Sequence, residues 1–157
     1  MKNVFKVLAC LFIPMLVVSC EKDNRVARAI IINKITLTKF PPLAANGNEW
    51  DTVPFASGPD IYVQLYQQGK SIWESTVYQD ALPGINYTFL TGGLRVTNLA
   101  DECLIKLQDK DTFVSELMGG NGITLLAQGS VFPSVIKTSS CLLNCLVEFE
   151  FEVSYEF

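Results

Sequence analysis

The segment QDKDTFVSELMGG, residues 108–120, places Asp109, Asp111 and Glu116 within eight positions, around an apolar pair, Phe113 and Val114. The two-residue period of a strand aims Asp109 and Asp111 the same way from a strand end. Carboxylates aimed together hold hard cations, and calcium takes six to eight oxygens at about 2.3–2.6 Å from flexible loops. Upstream, PPLAANGNEWDTVPFASGPD (41–60) brings Asp51 and Asp60 into a long loop that feeds a strand, with a second apolar tip at Val53, Pro54 and Phe55. An EF-hand is excluded: counted from Asp109, the Gly required at position six is Val114, and the Glu required at twelve is Gly120. The same residues also suit solvated turns, which aspartate side chains cap well. Residue types and spacing leave both readings open.

Other chemistries are poorly provided for. The chain of 157 residues has no His, which removes the commonest general base and any Ser-His or Cys-His pair. No glycine-rich phosphate loop leads from a strand into a helix, and GGNG (119–122) reads as a turn. Nothing singles out a carboxylate pair for glycoside hydrolysis. The expectation is a binding module rather than an enzyme.

The N-terminus carries its own signal. Lys2 and Lys6 precede the apolar run VLACLFIPMLVV (7–18), which is too short to span a bilayer and fits the core of a secretory signal. The run ends in LVVSC, which resembles the lipobox of bacterial lipoproteins, with Ser19 as the small residue and Cys20 as the lipidated acceptor. The acids that follow, in EKDNRVAR (21–28), resemble the export signal of surface lipoproteins in the Bacteroidetes group. The resemblance implies a chain anchored in the bacterial outer membrane by an N-terminal lipid on Cys20, with residues 1–19 removed, 20–28 a tether and 29–157 one domain. That removal takes two bases and no acid, so the net charge moves from −4 to −6. An acidic domain of this kind is a poor partner for nucleic acid, whose phosphates need Lys and Arg.

Of five cysteines, Cys103 falls in a strand and reads as a buried residue. Cys141 and Cys145 flank a turn-sized LLN and are either a short-loop disulfide or free thiols. A zinc site is disfavoured, with three thiols at unsuitable spacing and no His.

The elements that must position these groups read as strands. ITLTKF (35–40), DIYVQLYQ (60–67), SIWESTVY (71–78), INYTFL (85–90), GLRVTNL (93–99), ECLIKLQ (102–108) and GITLLAQ (122–128) are separated by Gly, Pro and Asn clusters. The last run, CLVEFEFEVSYEF (145–157), alternates strictly. Val147, Phe149, Phe151, Val153, Tyr155 and Phe157 share one face, and Glu148, Glu150, Glu152 and Glu156 the other. That is a half-buried strand with a charge ladder on its solvated side. About eight short strands with no long helical period predict an all-β, antiparallel eight-stranded β-sandwich.

The two acidic segments together resemble a C2 domain. SGPDIYVQL puts an aspartate just before an aromatic-bearing strand, and LQDKDTFVSELMGG ends a strand in Asp-x-Asp before a short loop, a further acid and an apolar-Gly pair. The resemblance implies a calcium cup formed by Asp51, Asp60, Asp109, Asp111 and Glu116. It also implies loop tips, Phe55, Phe113 and Val114, that enter a membrane or contact a protein or lipid partner. The Asp51–Asp60 gap is longer than the family's, and Glu49 is an alternative to Asp51. The competing expectation is a metal-free adhesion, structural or glycan-binding surface module, using an edge strand or Trp50 and Trp73.

Overall fold

The computed structural model describes residues 25–44, 46–50, 58–111, 115–125, 132–142 and 145–157, with the side chains of 141, 142, 145 and 146 excepted. Eight antiparallel strands form two four-stranded sheets: β1 (Ala29–Lys39), β2 (Ile61–Gln67), β3 (Lys70–Glu74), β4 (Tyr87–Val96), β5 (Cys103–Lys110), β6 (Ser115–Ile123), β7 (Val135–Leu142) and β8 (Cys145–Glu156). One sheet has the order β4-β1-β8-β7 and the other β3-β2-β5-β6. The predicted β-sandwich is the observed architecture, and no helix occurs among the described residues.

The inward faces supply the core. Val147, Phe149, Phe151 and Val153 of β8 are buried, as their alternation requires, and they meet Val63, Leu65, Ile105 and Leu107 of the opposite sheet in one cluster. Their outward partners are more than solvated. Glu148, Glu150 and Glu152 lie directly across from Lys39, Lys137 and Lys34 in the neighbouring strands. Each makes an ion pair there, Lys34–Glu152 at 2.6 Å and Lys39–Glu148 at 4.0 Å from β1, and Lys137–Glu150 from β7. Glu156 receives two hydrogen bonds from the Arg95 guanidinium of β4. This pairing holds the Arg95 pKa above, and the Glu156 pKa below, their ordinary values.

Two strands are longer than their alternation indicates, for one reason. In β1 the buried set is Ile30 and Ile32, then Ile35 and Leu37. The phase changes by one residue at a register shift between Ile32 and Lys34. The same irregularity places Gly92 and Gly93 of β4 in left-handed conformation, φ +70° and +79°, which glycine adopts without a steric penalty. A bulge resets which residues face inward. ITLTKF is therefore only the second half of β1, and INYTFL with GLRVTNL is a single β4.

At the other sheet's edge, SELMGGNGI forms β6, where a turn was expected at GGNG. Gly119 packs so closely on β8 that an added Cβ would lie 2.6 Å from Val147 Cγ2. Asn121 donates to Thr138 Oγ1 and, at 3.0 Å, to the Ser139 carbonyl, tying β6 to β7 across the sheets. The expected strand GITLLAQ ends at Ile123, and β7, VIKTSSCL, had no counterpart in the sequence reading.

Antiparallel order gives the sandwich two distinct ends. β1 finishes, β2 and β4 begin, and β5 finishes at one of them. Phe40, Tyr78 and Tyr87 cluster there, with Tyr78 bridging to Ile61. The described residues next to these strand ends, 41–44, 58–60 and 111, belong to this loop end. The opposite end holds the start of β1, the end of β8, and the turn at Gln68 and Gly69. Both turn residues have positive φ, +51° and +74°, as a two-residue hairpin requires.

Candidate functional site

The loop end is where β2 begins beside the finish of β5. Ile61 lies directly across from Asp109, so Asp60 and Lys110 are neighbours, and the Lys110 amide donates to the Asp60 carbonyl at 2.9 Å. Asp109 continues the inward series Cys103, Ile105, Leu107, and its side chain is fully buried, 0% exposed. A charge placed there must be met by hydrogen bonds. Its Oδ1 accepts from the Asp60 amide at 2.8 Å. Asp60 in turn accepts from the Asp80 amide through Oδ1 at 3.0 Å. That bond holds Asp80 at φ +51°, a conformation that Asp tolerates better than most residues. The Ala81 amide donates to the Pro59 carbonyl at 2.8 Å in the same corner. Gly58 passes so close that an added Cβ would sit 2.2 Å from the Ala81 oxygen.

Three segments are thus clasped together by two aspartates: the end of the 41–60 loop, the 78–81 turn and the finish of β5. Asp80 escaped the sequence reading. Its only signal there was an acid ahead of the ALPG turn.

Asp111 is exposed, just beyond β5. Glu116 lies within β6, across from Asp109 in the ladder, but it is exposed where Asp109 is buried. Asp51, Phe55, Phe113 and Val114 lie outside the described residues, as does Cys20, and the side chains of Cys141 and Cys145 are likewise not described. Cys103 is free and buried, as expected, and burial with the nearby charges of Asp101 and Glu102 pushes its thiol pKa up to about 11. Trp50 is 8% exposed, and its indole donates to the Pro41 carbonyl at 3.0 Å, so its ring packs in the core and is not presented to a glycan. Trp73 packs against the core from β3.

Calcium can be tested against this geometry. Asp60 and Asp109 each commit an oxygen to a backbone amide. No group of three or more acidic, Cys or His side chains converges among the described residues. The described carboxylates do not make a calcium site by themselves. They act as a hydrogen-bonded clasp for the two loops that carry the other acids.

Comparison with solved structures agrees with the architecture. The chain superposes on a C2 domain with a TM-score of 0.50 and 13% identity, over 80% of this chain and 97% of that one. The fold is C2-like. Weaker likenesses are to human GIVD cytosolic phospholipase A2 (TM-score 0.47, 10% identity, 84% of this chain and 18% of that one) and to the paired C2 domains of extended-synaptotagmin 2 (0.46, 14%, 98% and 47%). No family model matches the sequence, and no curated protein does.

Proposed function

We propose that this chain is a lipid-anchored protein of the bacterial cell envelope whose C2-like sandwich is a non-enzymatic docking module. Cys20 carries the lipid and the loop end carries the contact surface. The observation that carries the reading is the clasp. By joining Asp60 to Asp109, it sets the last residues before β2 beside the end of β5, which supports assigning Val53, Pro54, Phe55, Phe113 and Val114, on the segments that adjoin them in sequence, to one contact surface. Apolar tips on adjacent loops gain by burial against a lipid or protein surface, about 1.5–3 kcal/mol for a fully buried Phe. Calcium is the finer part of this proposal. It would require Asp51 and Asp111 to supply oxygens beyond the two that the clasp already engages.

The test is binding of the domain from residue 21 onward to anionic vesicles and to envelope fractions, with and without calcium. Phe55→Ser and Phe113→Ser should each weaken binding while leaving the melting temperature in place. Binding that is indifferent to both substitutions would remove the loop end from the function. The alternative, a metal-free adhesion or structural module, predicts binding that is indifferent to calcium.

A further inference from the structure

The end opposite the loops carries an aromatic cluster that the docking function does not use. Phe132 packs edge-on against Tyr155 and Phe157, with ring centroids 5.2 and 4.8 Å apart. The Arg25 guanidinium lies 4.0 Å above the Phe157 ring. Val26 beside it is 79% exposed and Phe157 39% exposed. The Arg28 amide donates to the Glu156 carbonyl at 2.7 Å, so the chain is already docked on β8 by residue 28. The acids at this end are Glu156, which is paired with Arg95, and Asp101 and Glu102, which precede β5 in the other sheet. Asp101 accepts there from Gln68 and Asn98.

We infer that this cluster seats the domain on the surface of the bilayer that holds its own lipid, and that the loop end therefore faces away from that bilayer. The inference rests on the proposed acylation of Cys20. Its physical basis is chain length. Cys20 and Arg25 are five peptide steps apart, a reach of at most about 18 Å. β1, with 11 residues, is roughly 35 Å long. With Arg25 packed on Phe157, a lipid on Cys20 thus holds the near end within that reach of the membrane, while the described loop end, at Phe40 and Asp60, lies a strand length away. End-on approach of that loop end to the same bilayer exceeds the reach from Cys20 to Arg25. The side chains at the near end suit the headgroup layer, where aromatic rings and the long stem of arginine bridge apolar and wet regions. The loop end is left to meet an opposing partner or surface.

Tryptophan quenching tests the orientation. The full-length protein, acylated in a bacterial host and verified by mass spectrometry, is reconstituted into phosphatidylethanolamine–phosphatidylglycerol vesicles whose acyl chains carry shallow bromines. Two variants add a reporter: Phe157→Trp at the near end and Asp111→Trp at the loop end. Relative to wild type, the added fluorescence of Phe157→Trp should be quenched and that of Asp111→Trp should not. Quenching of Asp111→Trp, or of neither reporter, in protein that carries its lipid overturns the orientation and leaves the anchor standing. Protein without a lipid on Cys20 overturns the anchor, and the orientation with it. Val26→Asp, which alters an exposed residue, should release the Phe157→Trp reporter from quenching while the lipid keeps the protein on the vesicles.

Discussion

Asp109 is read differently by sequence and by structure, and the difference yields a measurable sign. Taken as one of several crowding carboxylates, it would be relieved by neutralisation. Taken as a buried group whose Oδ1 holds the Asp60 amide, it is needed. Asp109→Ala should destabilise the domain by about 1–3 kcal/mol in denaturant unfolding, because it leaves the part-buried Asp60 amide without its acceptor. Asp109→Asn, which keeps an acceptor oxygen, should cost less. An increase in stability for both variants would restore the crowding picture. Calcium bears on the same residues. A ligand present at a hundredfold its dissociation constant adds about 2.7 kcal/mol to stability, so a melting temperature that climbs with calcium and ceases to climb in Asp111→Asn would establish the metal. A flat titration would remove it. Cys103 offers a pH test. Its folded pKa of about 11 lies above the ordinary 9.0, so the folded state holds this proton more tightly. The stabilisation is complete below pH 9 and declines as the pH rises toward 11. At about pH 8 this thiol should resist alkylation until the protein unfolds.

At the scale of strands, alternation was legible where a single phase runs the whole length. β8 and β2 were readable because neither Val147–Val153 nor Ile61–Leu65 changes phase. β1 and β4 were not, because the bulge facing Gly92 and Gly93 resets the phase midway. β6 was hidden by its glycines, which mark turns in most contexts. Here they are present because β8 and β5 approach too closely for a side chain. Gly119→Ala should therefore cost about 1–3 kcal/mol by overpacking against Val147, measured by chemical denaturation; a neutral result would mean that β6 and β8 separate freely. The glutamate ladder of β8 was legible as a face but not as pairs, since the lysines come from two other strands. Lys137→Ala should lower stability by about 0.2–1 kcal/mol, and less at high salt.

For the whole molecule, the class of fold was legible, and the C2 resemblance implied that the two acidic segments meet, but what lies at the opposite end was not legible. Which loops share an end depends on how strands from distant segments pair, and only the Ile61–Asp109 and Ala29–Glu156 registers establish it. Acylation belongs to this scale. Cys20→Ala should leave the protein in the aqueous phase on detergent partitioning, whereas the unsubstituted chain should partition with detergent. Continued membrane partitioning of the variant would show that another segment holds it. The bulge has a consequence here as well. β4 is an outer strand, and such a strand is a template on which another copy can add a ladder. The two left-handed glycines interrupt it at mid-length, and Thr91 turns its hydroxyl to the Ile32 carbonyl there. No straight run of hydrogen-bonding groups spans β4, although Leu90 stands 77% exposed upon it. On the proposed lipid anchor, molecules would be crowded on a two-dimensional surface and would meet far more often than in solution. The kink that obscured this strand in the sequence is also what keeps neighbouring copies from zipping into a shared sheet.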